Sequence, residues 1–466
     1  MRALRGRFVG LPLALLMVGV QLGCPGAPTP VSAPPDPPQL VVLYILDALR
    51  ADHVGGRGWT PVLDRLANEG VSFTDYVSVA PSTMTATKTL FSGRFFLDGG
   101  GLPAGVETLA EVLSGAGFAT LGVSGNGHVS SKYGMTRGFD AFEMVFPGAR
   151  GADPATYVNR NAAEVHRCAV EMLSEAPAQK PVFLYLHTIH PHAPYAPPRG
   201  LANEMCGDIP SSLDGMSPTL LAVRDGELEV SADDERRLAC LYAASVRYND
   251  AEIGRFLTEL EQRWRAEEIL FIVTSDHGEE LFDHGGVLHG HTLYDELLKV
   301  PLVFRWPGRL APSTIDLPSD TFDLHETLRA LVGAAASSAR AEGRSLWPVM
   351  VGADGSEVES RHRFAAAPTL AGGLFMARSD RHKLVLAPRG GMGLGLGRNH
   401  DPEYLFDLWR DPGERTNLVG RGVPEEGVLR AELRAWIERT GGGGGSEEVI
   451  LDDETREHLE ALGYVE

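Results

Sequence analysis

The sequence predicts an α/β fold: a three-layer α/β/α sandwich with a mixed, mostly parallel central sheet, followed by a small α+β subdomain. Two apolar runs of strand length, Leu40–Leu46 and Ile269–Val273, are rich in β-branched residues, the pattern of strands covered on both faces. Between them lie segments with helical signatures. Thr60 stands as an N-cap, Pro61 at the first helical position and Gly70 as the stop. Further on, Glu252 to Arg265 places Ile253, Phe256, Leu257 and Leu260 on one face. The larger unit is expected over 40–332. The smaller is expected over 344–466, opened by the apolar segment Leu346–Met350.

The residues ahead of Leu40 read as targeting and tether. Arg2, Arg5 and Arg7 precede an apolar stretch, Val9 to Leu22, that is too short to span a bilayer comfortably. Gly23-Cys24 closes it, and residues 25–39 are Pro-rich. The segment resembles a bacterial lipoprotein signal, with Cys24 as the lipidated residue and the Pro-rich stretch as a spacer from the membrane. Gln21 and Pro25 depart from the usual lipobox, so an ordinary cleaved signal and an uncleaved anchor stay open. All three place the folded part outside the cytoplasm. A formal charge of −20 from 42 basic and 62 acidic residues argues against a nucleic-acid partner. After Cys24 only Cys168, Cys206 and Cys240 remain. That is an odd number without CxxC spacing, and a Cys206–Cys240 pair stays open.

The chemistry is expected where strands end, because open α/β sheets build their sites beyond the carboxyl ends of strands. Asp47 follows the first apolar run, and Asp276-His277 follow the second. Two carboxylates and an imidazole suit a divalent metal, whereas the bland alternative is an Asp capping the next helix. Thr83 falls between Pro81 and the stop Gly93, near a helix N-terminus that favours an anion. A metal-activated hydroxyl there is a nucleophile; in isolation it is an ordinary capping Thr.

Taken in order, Leu43–Gly70, Ala80–Gly93, Glu107–Thr120, Arg137–Asp140, Phe183–Tyr195, Leu241–Asp250 and Asp276–Pro301 resemble the sulfatase family of the alkaline-phosphatase superfamily. So do Tyr404–Leu408, Asp411–Glu414, Asn417-Leu418 and Leu459–Tyr464. The departures carry information. The Cys or Ser that becomes formylglycine in sulfate-ester hydrolases of the family is here Thr83, within Thr83-Met84-Thr85-Ala86-Thr87. The usual Asp-Asp at the first strand end is Asp47-Ala48, and the Asn that commonly follows the later Asp is His277. Losing a carboxylate and gaining an imidazole moves the site from a Ca²⁺ cage towards Zn²⁺ or Mn²⁺.

The resemblance implies Asp47, Thr83, Asp276 and His277 as metal ligands, with Thr83 also the nucleophile. It implies His192 beside the transferred group and His289 or His291 as charge stabiliser, general acid or second-metal ligand. Lys88 lies one residue past the family's motif Arg; it either compensates for that Arg in substrate binding or is an exposed helix Lys. The expected activity is hydrolysis of phosphate or sulfate esters, phosphate placed ahead by Thr83, with a small-molecule, glycan or lipid-headgroup substrate. A phospho-headgroup transferase and a non-catalytic surface lipoprotein of the same fold are the alternatives.

Overall fold

The computed structural model describes residues 37–97, 99–145, 161–337, 342–353, 361–367, 373–387, 403–441 and 449–464. Cys24, the targeting segment, most of the Pro-rich stretch and the Gly-Met-Leu run at 391–397 lie outside these residues. Eight strands form the central sheet, in the spatial order Ser313–Ile315, Val71–Phe73, Leu302–Arg305, Ile269–Ser275, Leu40–Leu46, Val182–Thr188, Ala119–Ser124, Ala141–Met144. Leu302–Arg305 runs against its neighbours; the other pairings are parallel.

The apolar run Leu40–Leu46 is fully buried because its alternating side chains enter two different cores. Leu40, Val42, Tyr44 and Leu46 meet the helices Asn161–Glu175 and Ala232–Leu260. Val41, Leu43 and Ile45 meet the helices Thr83–Ser92, Leu109–Gly115 and Thr321–Leu331. The expected sandwich is therefore present, and the continuous apolar pattern has its cause in helices on both faces.

Local signals needed tertiary partners in two places. Thr60 is the N-cap of Pro61–Glu69 but makes no capping hydrogen bond. The carboxylate of Asp250, from a distant helix, accepts from the Val62 and Leu63 N–H groups instead, at 3.0 and 2.8 Å. The charged start at Asp233 and the amphipathic stretch after Glu252 belong to one 29-residue helix, Ala232–Leu260, opened by a Ser231/Asp234 capping box. Cys206 and Cys240 form a disulfide that ties the Arg199–Cys206 helix to this long one. No helix among the described residues is long and apolar enough to cross a membrane.

A second, antiparallel sheet comprises Arg363–Ala367, Leu374–Arg378, His382–Leu386 and Glu403–Asp407. One face packs on Leu429, Leu433 and Trp436 of the helix Glu426–Thr440. The other packs on Leu293, Tyr294 and Leu298 from the segment between the central strands Ile269–Ser275 and Leu302–Arg305. Leu346, Trp347 and Met350 sit in a core of the central sheet, and the helix Asp453–Leu462 also returns to that unit, where Ser217 Oγ donates to the Ala461 carbonyl at 3.0 Å.

Between the sheets lies a row of buried ion pairs. Arg363 and Arg378 reach Asp75 at 2.7 and 3.2 Å, Arg378 and Lys383 reach Asp295 at 2.5 and 2.8 Å, and Lys383 also meets Glu414 at 2.6 Å. Burial pushes the Asp295 carboxyl up, but Arg378, Lys383 and Lys299 outweigh it and hold it well below the usual range. Asp75 is lowered in the same way by Arg378 and Arg363 against its own burial. Stability from lowered carboxyls is present above their unfolded value of about 4 and lost as pH falls towards the folded value. Asp295→Asn is thus expected to cost about 3 kcal/mol at neutral pH and to leave a shallower loss of stability below about pH 4. Urea unfolding followed across pH checks both.

Candidate active site

The register of the central strands brings the two strand-end carboxylates together. Leu46 pairs with Ser275 on one side and Thr188 on the other, so Asp47 and Asp276 emerge level with each other. Asp276 Oδ1 accepts from the backbone N–H groups of Ala48 and His277, at 3.2 and 3.0 Å. Ala48 adopts φ 62°, a left-handed conformation costing about 1 kcal/mol for a residue with a Cβ. Its two hydrogen bonds hold it there: the N–H to Asp276, and its carbonyl accepting from the Tyr242 hydroxyl at 2.7 Å. With Oδ1 so engaged, Asp276 Oδ2 is buried with no hydrogen-bond partner.

His277 completes the cluster. Its Nδ1–H donates to the Gly278 carbonyl at 2.8 Å, which leaves Nε2 with its lone pair turned inward. Nε2 lies 3.5 Å from Asp47 Oδ1, 3.6 Å from Asp276 Oδ2 and 3.2 Å from Thr83 Oγ1. One ligand atom from each of Asp47, Asp276 and His277 falls within 4.8 Å of the others, all three buried. A buried carboxylate oxygen with no donor, facing a second carboxylate and an imidazole lone pair, fits a divalent cation. Thr83 is the first residue of the helix Thr83–Ser92, and its Oγ1 is 3.5 Å from Asp47 Oδ1.

Asp47 has further partners. Asn126 Nδ2 donates to its Oδ2 at 2.6 Å, and His187 Nε2 stands 3.2 Å from the same oxygen. Burial pushes Asp47 up, but His192, His187 and His277 reverse this and hold it far below the usual carboxyl range. His277 is shifted the other way: burial lowers it, while Asp276 and Asp47 more than compensate and raise it.

His192 donates Nδ1–H to the Ala193 carbonyl at 2.5 Å, and its Nε2 is buried with no partner. His289 Nδ1 lies 3.1 Å from Glu279 Oε2, whose other oxygen accepts from the Tyr195 hydroxyl at 2.7 Å. Burial, with His277 and His192 adding to it, pushes His289 well below the ordinary imidazole value. Glu279 is pushed up to about 7, chiefly by burial. The three rings His277, His289 and His192 form a row, with centroid spacings of 4.2 and 4.7 Å. A cavity of about 210 Å³ opens onto Thr83, His128, His192, His289, Arg224 and Tyr464.

Six of the residues named from the sequence thus converge: Asp47, Thr83, Asp276, His277, His192 and His289. Lys88 and His291 are placed elsewhere. Lys88 is fully buried rather than exposed, and its ammonium donates to the Gly100 carbonyl at 3.0 Å, away from the cavity lining. His291 Nε2 pairs with Glu280 at 2.8 Å and does not line the cavity. In both cases a nearby acceptor claims the donor. The sequence reading missed Asn126, His187, Glu279 and Tyr464 as participants. Asn126 carried a usable signal, since it follows the apolar run Ala119–Ser124 as Asp47 follows its own.

The sequence model of the Sulfatase family matches residues 39–334. Human arylsulfatase A is 24% identical over 458 residues, covering 82% of this chain and 84% of its own length. Among solved structures, a 2-O GAG sulfatase superposes with a TM-score of 0.69 at 22% identity, covering 90% of this chain and 96% of its own. The phosphonate monoester hydrolase from Silicibacter pomeroyi superposes at 0.66, also at 22% identity, covering 87% and 95%.

In the metal-free protein the unpartnered Asp276 carboxylate sits beside Asp47 at a cost in stability, which a bound cation removes. Asp276→Asn is expected to raise the melting temperature of the metal-free protein by about 2–4 °C. A divalent cation is expected to shift the wild-type protein upward and to leave Asp276→Asn unmoved. Thermal scans with and without the cation check both halves.

Proposed function

The chain belongs to the sulfatase family of the alkaline-phosphatase superfamily, and on that premise we propose that it cleaves phosphate or sulfate esters through Thr83 as nucleophile, phosphate esters preferred. The observation that carries this reading is the hydroxyl of Thr83 placed 3.2 Å from His277 Nε2 and 3.5 Å from Asp47 Oδ1, at the mouth of a helix and on the floor of the cavity. Asp47, Asp276, His277 and Thr83 would hold a divalent metal, Zn²⁺ or Mn²⁺ rather than Ca²⁺. When bound it supplies a Lewis acid that polarises the ester oxygens and lowers the hydroxyl's pKa. The imidazole lone pair in place of a further oxygen supports the softer metals.

The chain's own groups perform the rest. Thr83 Oγ1 passes its proton to Asp47 Oδ1, 3.5 Å away, and bonds to phosphorus or sulfur as the bond to the leaving oxygen breaks. His192, protonated at its otherwise unpartnered Nε2, gives that proton to the leaving oxygen. His289 is held neutral with Nδ1 against Glu279, so its Nε2 acts as base rather than acid. It takes a proton from the water that attacks the Thr83 ester; as the Oγ1 bond breaks, Oγ1 takes back the proton held by Asp47, and the proton on His289 passes through solvent to His192, which restores the enzyme. The narrow cavity, with the Arg224 guanidinium in its lining, suits a small anionic ester or the end of a sulfated or phosphorylated glycan. Relatives in the family act on such groups by name: arylsulfatase, steryl-sulfatase and choline-sulfatase.

Export is part of the proposal. The Cys206–Cys240 disulfide suits an oxidising compartment, in keeping with a targeting segment and Cys24 as its lipid anchor.

Turnover of aryl phosphate, aryl phosphodiester and aryl sulfate by the Mn²⁺- or Zn²⁺-loaded protein is the test. One phosphoester should be preferred, and Thr83→Ala should lower its kcat by about a thousandfold or more, as loss of a nucleophile does. Activity untouched by Thr83→Ala, or a preference for the sulfate, would reject the corresponding part of the reading.

A further inference from the structure

We propose that Tyr464 is a catalytic residue of this site, its phenol donating a hydrogen bond to the nucleophilic oxygen of Thr83. The inference rests on the reading of Thr83 as nucleophile. Tyr464 Oη stands 3.0 Å from Thr83 Oγ1 and 3.0 Å from Asn126 Nδ2. The direction of these bonds follows from counting hydrogens. Asn126 Oδ1 accepts from the His128 backbone N–H at 2.9 Å, which fixes the amide with its nitrogen towards the site. Nδ2 has two hydrogens, and of its contacts those to Asp47 Oδ2 at 2.6 Å and Tyr464 Oη at 3.0 Å are shorter than that to Thr83 Oγ1 at 3.5 Å and take them. Tyr464 Oη is therefore an acceptor towards Asn126, and its own hydrogen is left for Thr83 Oγ1.

The surrounding structure holds the phenol in that place. The helix Asp453–Leu462 ends at Gly463, whose φ of 87° admits no Cβ without strain. There the N–H of Tyr464 closes onto the Leu459 carbonyl at 2.9 Å and that of Gly463 onto Glu460 at 3.0 Å, a Schellman closure. The same helix braces the loop that carries Asn126. His458 Nε2 bonds the Gly125 carbonyl at 3.0 Å, and Leu459 crowds Gly127 so closely that an added Cβ would meet its Cδ2 at 3.1 Å. The ring of Tyr464 packs against His128 and His192, with centroids 4.4 and 4.8 Å apart. One helix thus sets the donor and the amide that orients it.

A donor aimed at Oγ1 stabilises the negative charge that builds there as the hydroxyl loses its proton, and again as the Thr83 ester breaks. Tyr464 keeps its own proton throughout; no bond to it is made or broken. Its loss therefore lowers the chemical step more than ground-state binding.

The test compares wild type, Tyr464→Phe and Thr83→Ala as metal-loaded full chains, measuring kcat, KM, bound metal, melting temperature and calorimetric affinity for orthovanadate. Phe keeps the ring packing and removes only the hydroxyl. A fall in kcat of about 10–100-fold, with KM within about threefold, metal content unchanged and melting temperature held, supports the proposal. Turnover within about twofold of wild type overturns it, and so does a fall matched by lost metal or a lowered melting temperature. With no ester turned over, a tenfold weaker vanadate affinity in Tyr464→Phe supports the proposal and an unchanged affinity overturns it. Failure of the nucleophile reading shows separately, as full turnover by Thr83→Ala.

Discussion

Two carboxylates buried side by side at the ends of neighbouring parallel strands set the terms for the rest of this molecule. Asp47 and Asp276 each present an oxygen within 4.8 Å of the other's. At an effective dielectric near 20, like charges at that separation repel by about 3.5 kcal/mol. The protein answers the repulsion on one side only. Backbone N–H groups satisfy Asp276 Oδ1 and Asn126 satisfies Asp47 Oδ2, whereas Asp276 Oδ2 has no donor. Such an arrangement is poor for a folded chain alone and suitable for a cation, which is how a functional site departs from what stability would select.

That constraint propagates outward through tautomers. The Gly278 carbonyl accepts from Nδ1–H of His277, Glu279 faces Nδ1 of His289 and the Ala193 carbonyl accepts from Nδ1–H of His192. Each imidazole consequently turns a defined nitrogen inward, a device common to metal-binding histidines. Behind them Tyr195 holds Glu279, and the long Ala232–Leu260 helix contributes Tyr242 to the strained Ala48. The ion pairs between the two sheets serve a different end. They tie the second sheet to Asp75 and Asp295, which lie beside the central strands Val71–Phe73 and Leu302–Arg305.

How much of this was legible in the residues differs by kind. The sandwich was legible because fully buried strands need continuous apolar runs, and Leu40–Leu46 and Ile269–Val273 have them. Asp47, Asp276 and His277 were legible because chemistry in such sheets sits one residue past a strand, a purely local position. The family's ordered motifs added Thr83, His192 and His289, and the structure brings all of them to one cavity. Lys88 and His291 instead bond to the Gly100 carbonyl and to Glu280, because motif position says nothing about which acceptor lies nearest in space. Asp250 as the cap of Pro61–Glu69 was invisible for the same reason: donor and acceptor are far apart along the chain.

By itself the sequence determined where strands and helices run, which residues stand at strand ends, and that Thr83 falls at a helix start between Pro81 and Gly93. Those are properties of short stretches, set by burial pattern, capping and turn chemistry. Only the tertiary structure decided that Asp276 keeps an oxygen free, that His289 is buried facing Glu279, and that Tyr464 reaches Thr83. These depend on the register of neighbouring strands and on the docking of one helix over another loop. Such long-range packing assigns each hydrogen bond to a partner that no local pattern names.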